Sequence, residues 1–154
     1  MVGNCRVKVL YTGGTFDVLH YGHLDFLKRC KILADTVVVA LNTDDFVGQF
    51  KGSKPVMTFK ERKKSLEHCQ YVDAVVPNSG GKDSKPSISE VNPSIIAVGT
   101  DWASRDYYSQ MGFSQDWLDL MGICLVFIPY GDPSIISTTE IKRRILENEN
   151  RCDR

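Results

Sequence analysis

Thr12-Gly13-Gly14-Thr15-Phe16-Asp17-Val18-Leu19-His20-Tyr21-Gly22-His23 lies between two apolar patterns. Before it runs Val7 to Leu10; after it come Leu24, Phe26, Leu27, Cys30 and Leu33 at helical spacing. The stretch reads as the end of a strand, a glycine turn, and a helix whose first turn carries two histidines. Gly13 and Gly14 have no Cβ, so a ligand can approach the backbone there. His20 and His23 are three residues apart and share a helical face, and Gly22 between them leaves that face open. A helix start adds unpaired N–H groups and the positive end of the macrodipole, both of which favour an anion. Together these features predict a phosphate site with imidazole donors. The same residues also read as a plain tight turn followed by structural histidines, because short motifs recur by chance.

Working outward, five β-branched apolar runs alternate with helical patterns. Strands are expected at Val7–Tyr11, Thr36–Asn42, Tyr71–Pro77, Ser94–Gly99 and Ile123–Pro129. Helices are expected at Gly22–Leu33, Phe59–Cys69, Ser87–Val91, Ser114–Met121 and Thr138–Asn148. Several runs are nearly continuous in Val, Ile and Leu, as parallel strands covered on both faces require. The alternation predicts an α/β fold, an open five-stranded parallel Rossmann-like sheet with helices on both faces. At 154 residues the chain is expected to form a single domain, residues 1–154, with 146–154 as a frayed polar tail.

Composition narrows the partners. Hydrophobic residues make up 42% and charged ones 25%, the balance of a globular domain. The formal net charge is +0, so neither nucleic acid nor an anionic membrane surface is an expected partner, and any anion site must be local. No apolar stretch is long enough to span a bilayer. The first residues, Met-Val-Gly-Asn-Cys-Arg, carry no apolar signal segment, which predicts a cytoplasmic protein. The five cysteines are widely spaced without a Cys-x-x-Cys pair, as expected of reduced thiols and not of a disulfide framework or zinc site.

In parallel sheets ligands sit beyond the carboxyl ends of the strands. The segments leaving those ends gather glycines, lysines, hydroxyls and an aromatic: the opening stretch, Phe50-Lys51-Gly52-Ser53-Lys54, Gly99-Thr100-Asp101-Trp102, and Tyr130 to Thr139. Ser137-Thr138-Thr139 opens a basic amphipathic helix and forms either a plain capping box or a second anion cradle. Lys51 and Lys54 flank a glycine in an expected mobile loop; each alone reads as a solvated lysine, and together they read as point charges for phosphate.

Gly14-Thr15-Phe16-Asp17-x-x-His20-x-Gly22-His23 resembles the H-x-G-H signature of the cytidylyltransferase-type nucleotidyltransferases. Ile136-Ser137-Thr138-Thr139-x-Ile141-Lys142 resembles their second signature. Phe50-Lys51-Gly52, Glu61-Arg62, Tyr71-Val72-Asp73 and Gly99-x-Asp101-Trp102 follow in the same order, so the resemblance runs from Val7 to Ile145. Within that family the chain looks most like the single-domain glycerol-3-phosphate cytidylyltransferases.

The resemblance implies transfer of CMP from CTP to a small phosphorylated polyol or sugar, with release of pyrophosphate. By similarity, His20 and His23 donate to the α- and β-phosphates and Gly22 gives them room. Gly13, Gly14, Thr15 and Phe16 hold the triphosphate and ribose. Lys51 contacts the attacking phosphate, Lys54 the nucleotide phosphates, and Ser137, Thr138 and Thr139 the β- and γ-phosphates. Gly99 and Asp101 meet base and ribose, with Trp102 as a wall. Arg62 lines the acceptor pocket; Asp17 belongs to the substrate side or caps the turn. The implied cofactor is Mg2+, held on the phosphates with few direct protein ligands, and the implied assembly is a homodimer paired near Tyr71-Val72-Asp73.

Three departures stand out. The arginine that usually opens the second signature is absent, and Tyr130-Gly131-Asp132-Pro133-Ser134-Ile135 stands in its place. Gln70 replaces an arginine common before Tyr-Val-Asp. Arg105 to Gly112 is longer than in minimal relatives and reads either as a lid over an acceptor bulkier than glycerol phosphate or as a passive loop. An adenylyltransferase acting on a heptose phosphate with ATP is therefore the second reading, since such enzymes also lack the arginine. A non-catalytic nucleotide sensor is the third. The tRNA-synthetase reading of H-x-G-H fails on length and on the lack of a basic face.

Overall fold

The computed structural model describes residues 6–80 and 83–152, so Cys5 and the loop residues Gly81 and Lys82 lie outside the described residues. The elements run β1 (Val9–Gly14), α1 (Tyr21–Leu33), β2 (Thr36–Asn42), α2 (Asp44–Lys51), α3 (Phe59–Glu67), β3 (Ala74–Asn78), α4 (Lys85–Val91), β4 (Ile95–Gly99), a 3-10 turn (Thr100–Trp102), α5 (Tyr107–Met111), α6 (Gln115–Met121), β5 (Cys124–Ile128) and α7 (Thr138–Cys152). The five strands form one parallel sheet in the order β3-β2-β1-β4-β5.

Strand side chains alternate between two cores, as a period of two demands. Leu10, Val39 and Ala97 face α1 and α3, meeting Phe26, Leu27, Cys30 and Leu66. Tyr11, Ala40, Ile96 and Val98 face α4, α5 and α6, meeting Ile88, Tyr107 and Leu118. The expected doubly covered sheet is thus observed. Cys30, Cys69 and Cys124 are free. Among the described residues no helix is long and apolar enough to cross a membrane.

Four elements differ from expectation. β1 does not end at Tyr11; it continues through Gly13 and Gly14, which pair with Ala40 and Leu41 of β2, so the two glycines finish a strand and do not form a turn. Of the expected lysine loop, Phe50 and Lys51 belong to the last turn of α2, while Gly52 to Lys54 follow it outside any helix. Thr43 accepts the Phe46 N–H, Asp44 and Asp45 occupy the first turn, and Gly52 closes the helix at φ 72°. The segment expected as lid or loop contains α5, capped by Asp106, which accepts the Ser109 N–H, and closed by Gly112 at φ 70°. α7 also runs past its expected end to Cys152, with Arg143 and Arg144 paired to Glu140 and Arg143 also to Glu147 along its exposed side.

Candidate active site

β1 and β4 stay paired only at Leu10–Ile95 and Tyr11–Ile96, whereas β1 follows β2 all the way to Gly14. The strands part beyond Tyr11 and Ile96, at the point where the strand order reverses, which is where open α/β sheets place their ligands. Two cavities of about 520 and about 500 Å³ open there. They share the wall Gly13, Gly14, Thr15, Phe16 and His23, with Val98 and Trp102.

The loop from β1 to α1 is held in a strained form. Phe16 and Val18 adopt φ 49° and 50°, a region costly for residues with a Cβ. The Phe16 ring folds back over Gly14, where an added Cβ would lie 2.7 Å from ring carbon Cε2. That contact, not a turn, is why Gly14 must be glycine. The same ring tilts against His23 at 5.3 Å.

The two histidines do not share a helical face. His20 is the extended N-cap of α1 and His23 is in its first turn. Their rings stack at 3.8 Å, and the His20 backbone N–H donates to His23 Nδ1 at 3.3 Å. Because Nδ1 accepts, the neutral ring carries its proton on Nε2. His23 lines both cavities; His20 lines neither and stands behind it. Burial, then the neighbouring His20, lower the His23 pKa to about 3, so the ring is a neutral donor at physiological pH. Burial also lowers His20, whose Nδ1 is buried without a partner. Gly22 leaves space for this pair: a Cβ there would meet His20 Nδ1 at 3.1 Å and Ile136 Cγ2 at 3.3 Å.

Around the larger cavity stand Lys51 from the last turn of α2, Lys54, Thr138 and Thr139 at the start of α7, and Lys142 one turn further on. Ser137 is not on this wall; its hydroxyl caps α7 by accepting the Glu140 N–H at 3.1 Å. Thr138 donates its hydroxyl to the Asp17 carbonyl at 2.7 Å, tying α7 to the H-x-G-H loop. Lys142 escaped the sequence reading although it lies in the second signature, because a lysine in a basic helix carries no signal until its direction is known.

Asp17 and Arg62 are not positioned as expected. The Asp17 carboxylate accepts the Val56 and Met57 N–H groups at 2.8 and 2.9 Å and lies 3.5 Å from Lys142 Nζ. Burial opposes its ionisation, but the two amides and Lys142 outweigh burial and lower its pKa. It is a clamp between loops, with both oxygens engaged. Arg62 does not line the acceptor side. It is fully buried behind the wall and donates to the carbonyls of Met57, Thr15 and Asn42 and to Asp44 Oδ1.

Beside the shared wall, the smaller cavity is lined by Gly99, Asp101, Tyr130, Gly131 and Pro133. An added Cβ on Gly99 would lie 2.4 Å from Asp101 Oδ1, so glycine is needed to let that carboxylate fold back. Tyr130 stands edge-on to His23 at 5.8 Å, and burial with nearby Asp101 raises its pKa. The segment that replaces the expected arginine thus lines this cavity with a tyrosine, a glycine and a proline.

Among the described residues no three His, Cys, Asp or Glu side chains are grouped to hold a metal. Asp17 is the only described carboxylate on the larger cavity's wall, and its oxygens are engaged. The donor set left there, imidazole, ammonium, hydroxyl and helix N–H, fits phosphate oxygens and not a bare cation.

The sequence profile of the family described as cytidylyltransferase-like matches residues 11–144. The chain belongs to this family. It is 36% identical over 139 residues to the glycerol-3-phosphate cytidylyltransferase of Bacillus subtilis, covering 90% of this chain and 98% of that one. It is 40% identical over 101 residues to the FAD synthase of Pyrococcus abyssi, covering 66% and 68%. Among solved structures it resembles a lipopolysaccharide core biosynthesis protein from Thermoplasma volcanium, with TM-score 0.66 and 27% identity over 80% of this chain and 98% of that one. As a cytidylyltransferase-like protein it is a nucleotidyltransferase.

Proposed function

We propose that the protein transfers CMP from CTP to a small phosphorylated acceptor, releasing pyrophosphate. An oxygen of the acceptor phosphate attacks the α-phosphorus in line, and the bond to the β-phosphate breaks as pyrophosphate leaves. No side chain becomes covalently linked, so catalysis rests on positioning and charge stabilisation. The observation that carries this reading is that His23 forms the common wall of the two cavities. A nucleoside in the smaller cavity and an acceptor in the larger would meet at its Nε2. Lys51, Lys54 and the α7 start then face the phosphates. His20 supports the His23 ring by stacking. Magnesium enters as the counter-ion of the triphosphate, neutralising phosphate charge, and a cytoplasmic setting agrees with free thiols.

The experiment is pyrophosphate release with each nucleoside triphosphate and a panel of phosphorylated acceptors, paired with thermal unfolding. CTP at a hundredfold excess over its Kd should stabilise the fold by about 2.7 kcal/mol, with ATP giving much less. Binding of CTP without pyrophosphate from any acceptor would leave the sensor reading instead. A larger shift with ATP would favour the adenylyltransferase reading. The tyrosine-lined smaller cavity and a relative whose product contains adenine favour that second reading.

A homodimer is the remaining part of this reading. Light scattering should give about twice the 17.3 kDa chain mass; a value at the chain mass would remove the dimer.

A further inference from the structure

The end of the larger cavity away from the histidines is built for a different surface than a polyol's. Phe46 and Phe50 lie on one face of α2, their rings stacked at 6.1 Å and 27°. Phe50 is 51% exposed and lines the cavity. Phe46 is fixed by its seat on Gly80, where a Cβ would fall 1.9 Å from the ring. Opposite, α5 contributes Met111 and Gln110.

Three polar side chains at this end, Asn42, Asn78 and Ser84, are engaged with protein partners. Asn42 donates to Thr15 Oγ1 and accepts from Asn78, and Asn78 accepts the Gly80 N–H. The Ser84 hydroxyl donates to the Met111 carbonyl. Among the described residues, Gln110 alone presents a side-chain amide here without a protein partner. A body rich in hydroxyls would find those three amide and hydroxyl groups already engaged. A flat apolar body would lie on the phenylalanine pair and against Met111, gaining burial and ring contact. Lys51, next to Phe50 on α2, stands where the phosphate of such a molecule would lie.

Resting on the transfer reading above, we infer that the acceptor is the phosphate ester of an apolar, ring-sized body seated on Phe46 and Phe50, and not a glycerol-sized polyol. The probes are 2-phenylethyl phosphate and glycerol 3-phosphate, each with CTP and magnesium. Pyrophosphate release should show kcat/KM at least about tenfold higher for the aryl phosphate, the effect expected from burying part of one ring. Phe50→Ala should raise KM for the aryl phosphate by roughly fivefold or more and leave KM for CTP within about twofold. Equal or better use of glycerol 3-phosphate would overturn the inference. Should neither probe yield pyrophosphate, the wider acceptor panel decides the transfer reading, and calorimetric titration decides this one. Tighter binding of the aryl phosphate, weakened in Phe50→Ala, supports it; binding no tighter than glycerol 3-phosphate overturns it.

Discussion

Replacing His23 by alanine is expected to lower kcat by roughly 10²–10³-fold, the cost of losing one preorganised donor to developing charge. The His20 N–H fixes the His23 tautomer with its proton on Nε2, in a ring that lines both cavities. Burial keeps the ring uncharged, and a neutral donor in a dry wall needs no reorganisation as charge builds on the phosphates. The KM for CTP should move far less than kcat, because the donor acts mainly in the transition state. His23→Asn, which keeps an N–H near the same place, should recover part of the loss. A His23→Ala variant with kcat within threefold (about 0.7 kcal/mol) of the parent would remove His23 from the mechanism.

The same burial has a pH signature. Unfolded, His23 binds a proton near pH 6.5; folded, it does so only at about 3. The unfolded state therefore holds more protons between those values, and stability falls as pH drops through that window. His20, also lowered by burial, adds to the same slope. In His23→Asn the loss of stability between pH 7 and pH 5 should shrink relative to the parent. Equal acid sensitivity in both proteins would mean that His23 is not held neutral.

The sheet was legible because it is written in long apolar runs: Val37 to Leu41 is buried on both faces and says so in every residue. The site was legible where a motif depends on backbone and spacing, as in Gly13 to His23. What sequence could not carry is direction. Arg62 is a charged residue in a charged helix, and nothing in Lys60-Glu61-Arg62-Lys63-Lys64 says that one of these side chains is completely buried while its neighbours are solvated. Asp17 likewise looked available until Val56 and Met57 were placed against it. α2 was hidden for another reason. Its caps, Thr43 and Gly52, are clear in hindsight, but eight residues with a glycine inside give a weak periodic signal.

Arg62 carries the second large effect. Its guanidinium joins the H-x-G-H loop at Thr15, the end of β2 at Asn42, the first turn of α2 at Asp44, and Met57 before α3. Four acceptors converge on one fully buried group, and removing it leaves them unpaired in a dry interior. Arg62→Ala should cost about 3–5 kcal/mol, the range for breaking a buried, hydrogen-bonded pair. The lower end is expected, since Asp44 is 33% exposed and can regain water. Arg62→Met separates packing from hydrogen bonding: it refills much of the volume, and should recover little, because the acceptors stay unpaired. Arg62→Lys should also recover less than half, since one ammonium cannot span a planar fork's four partners. Urea unfolding measures each loss, and a cost under about 1 kcal/mol for Arg62→Ala would contradict the assignment. The catalytic consequence follows from the same bonds. Without Arg62 the tie between α2 and the loop that carries the histidines is reduced to the Asn42–Thr15 hydrogen bond, so in the mildest variant that still folds kcat should fall before CTP binding does.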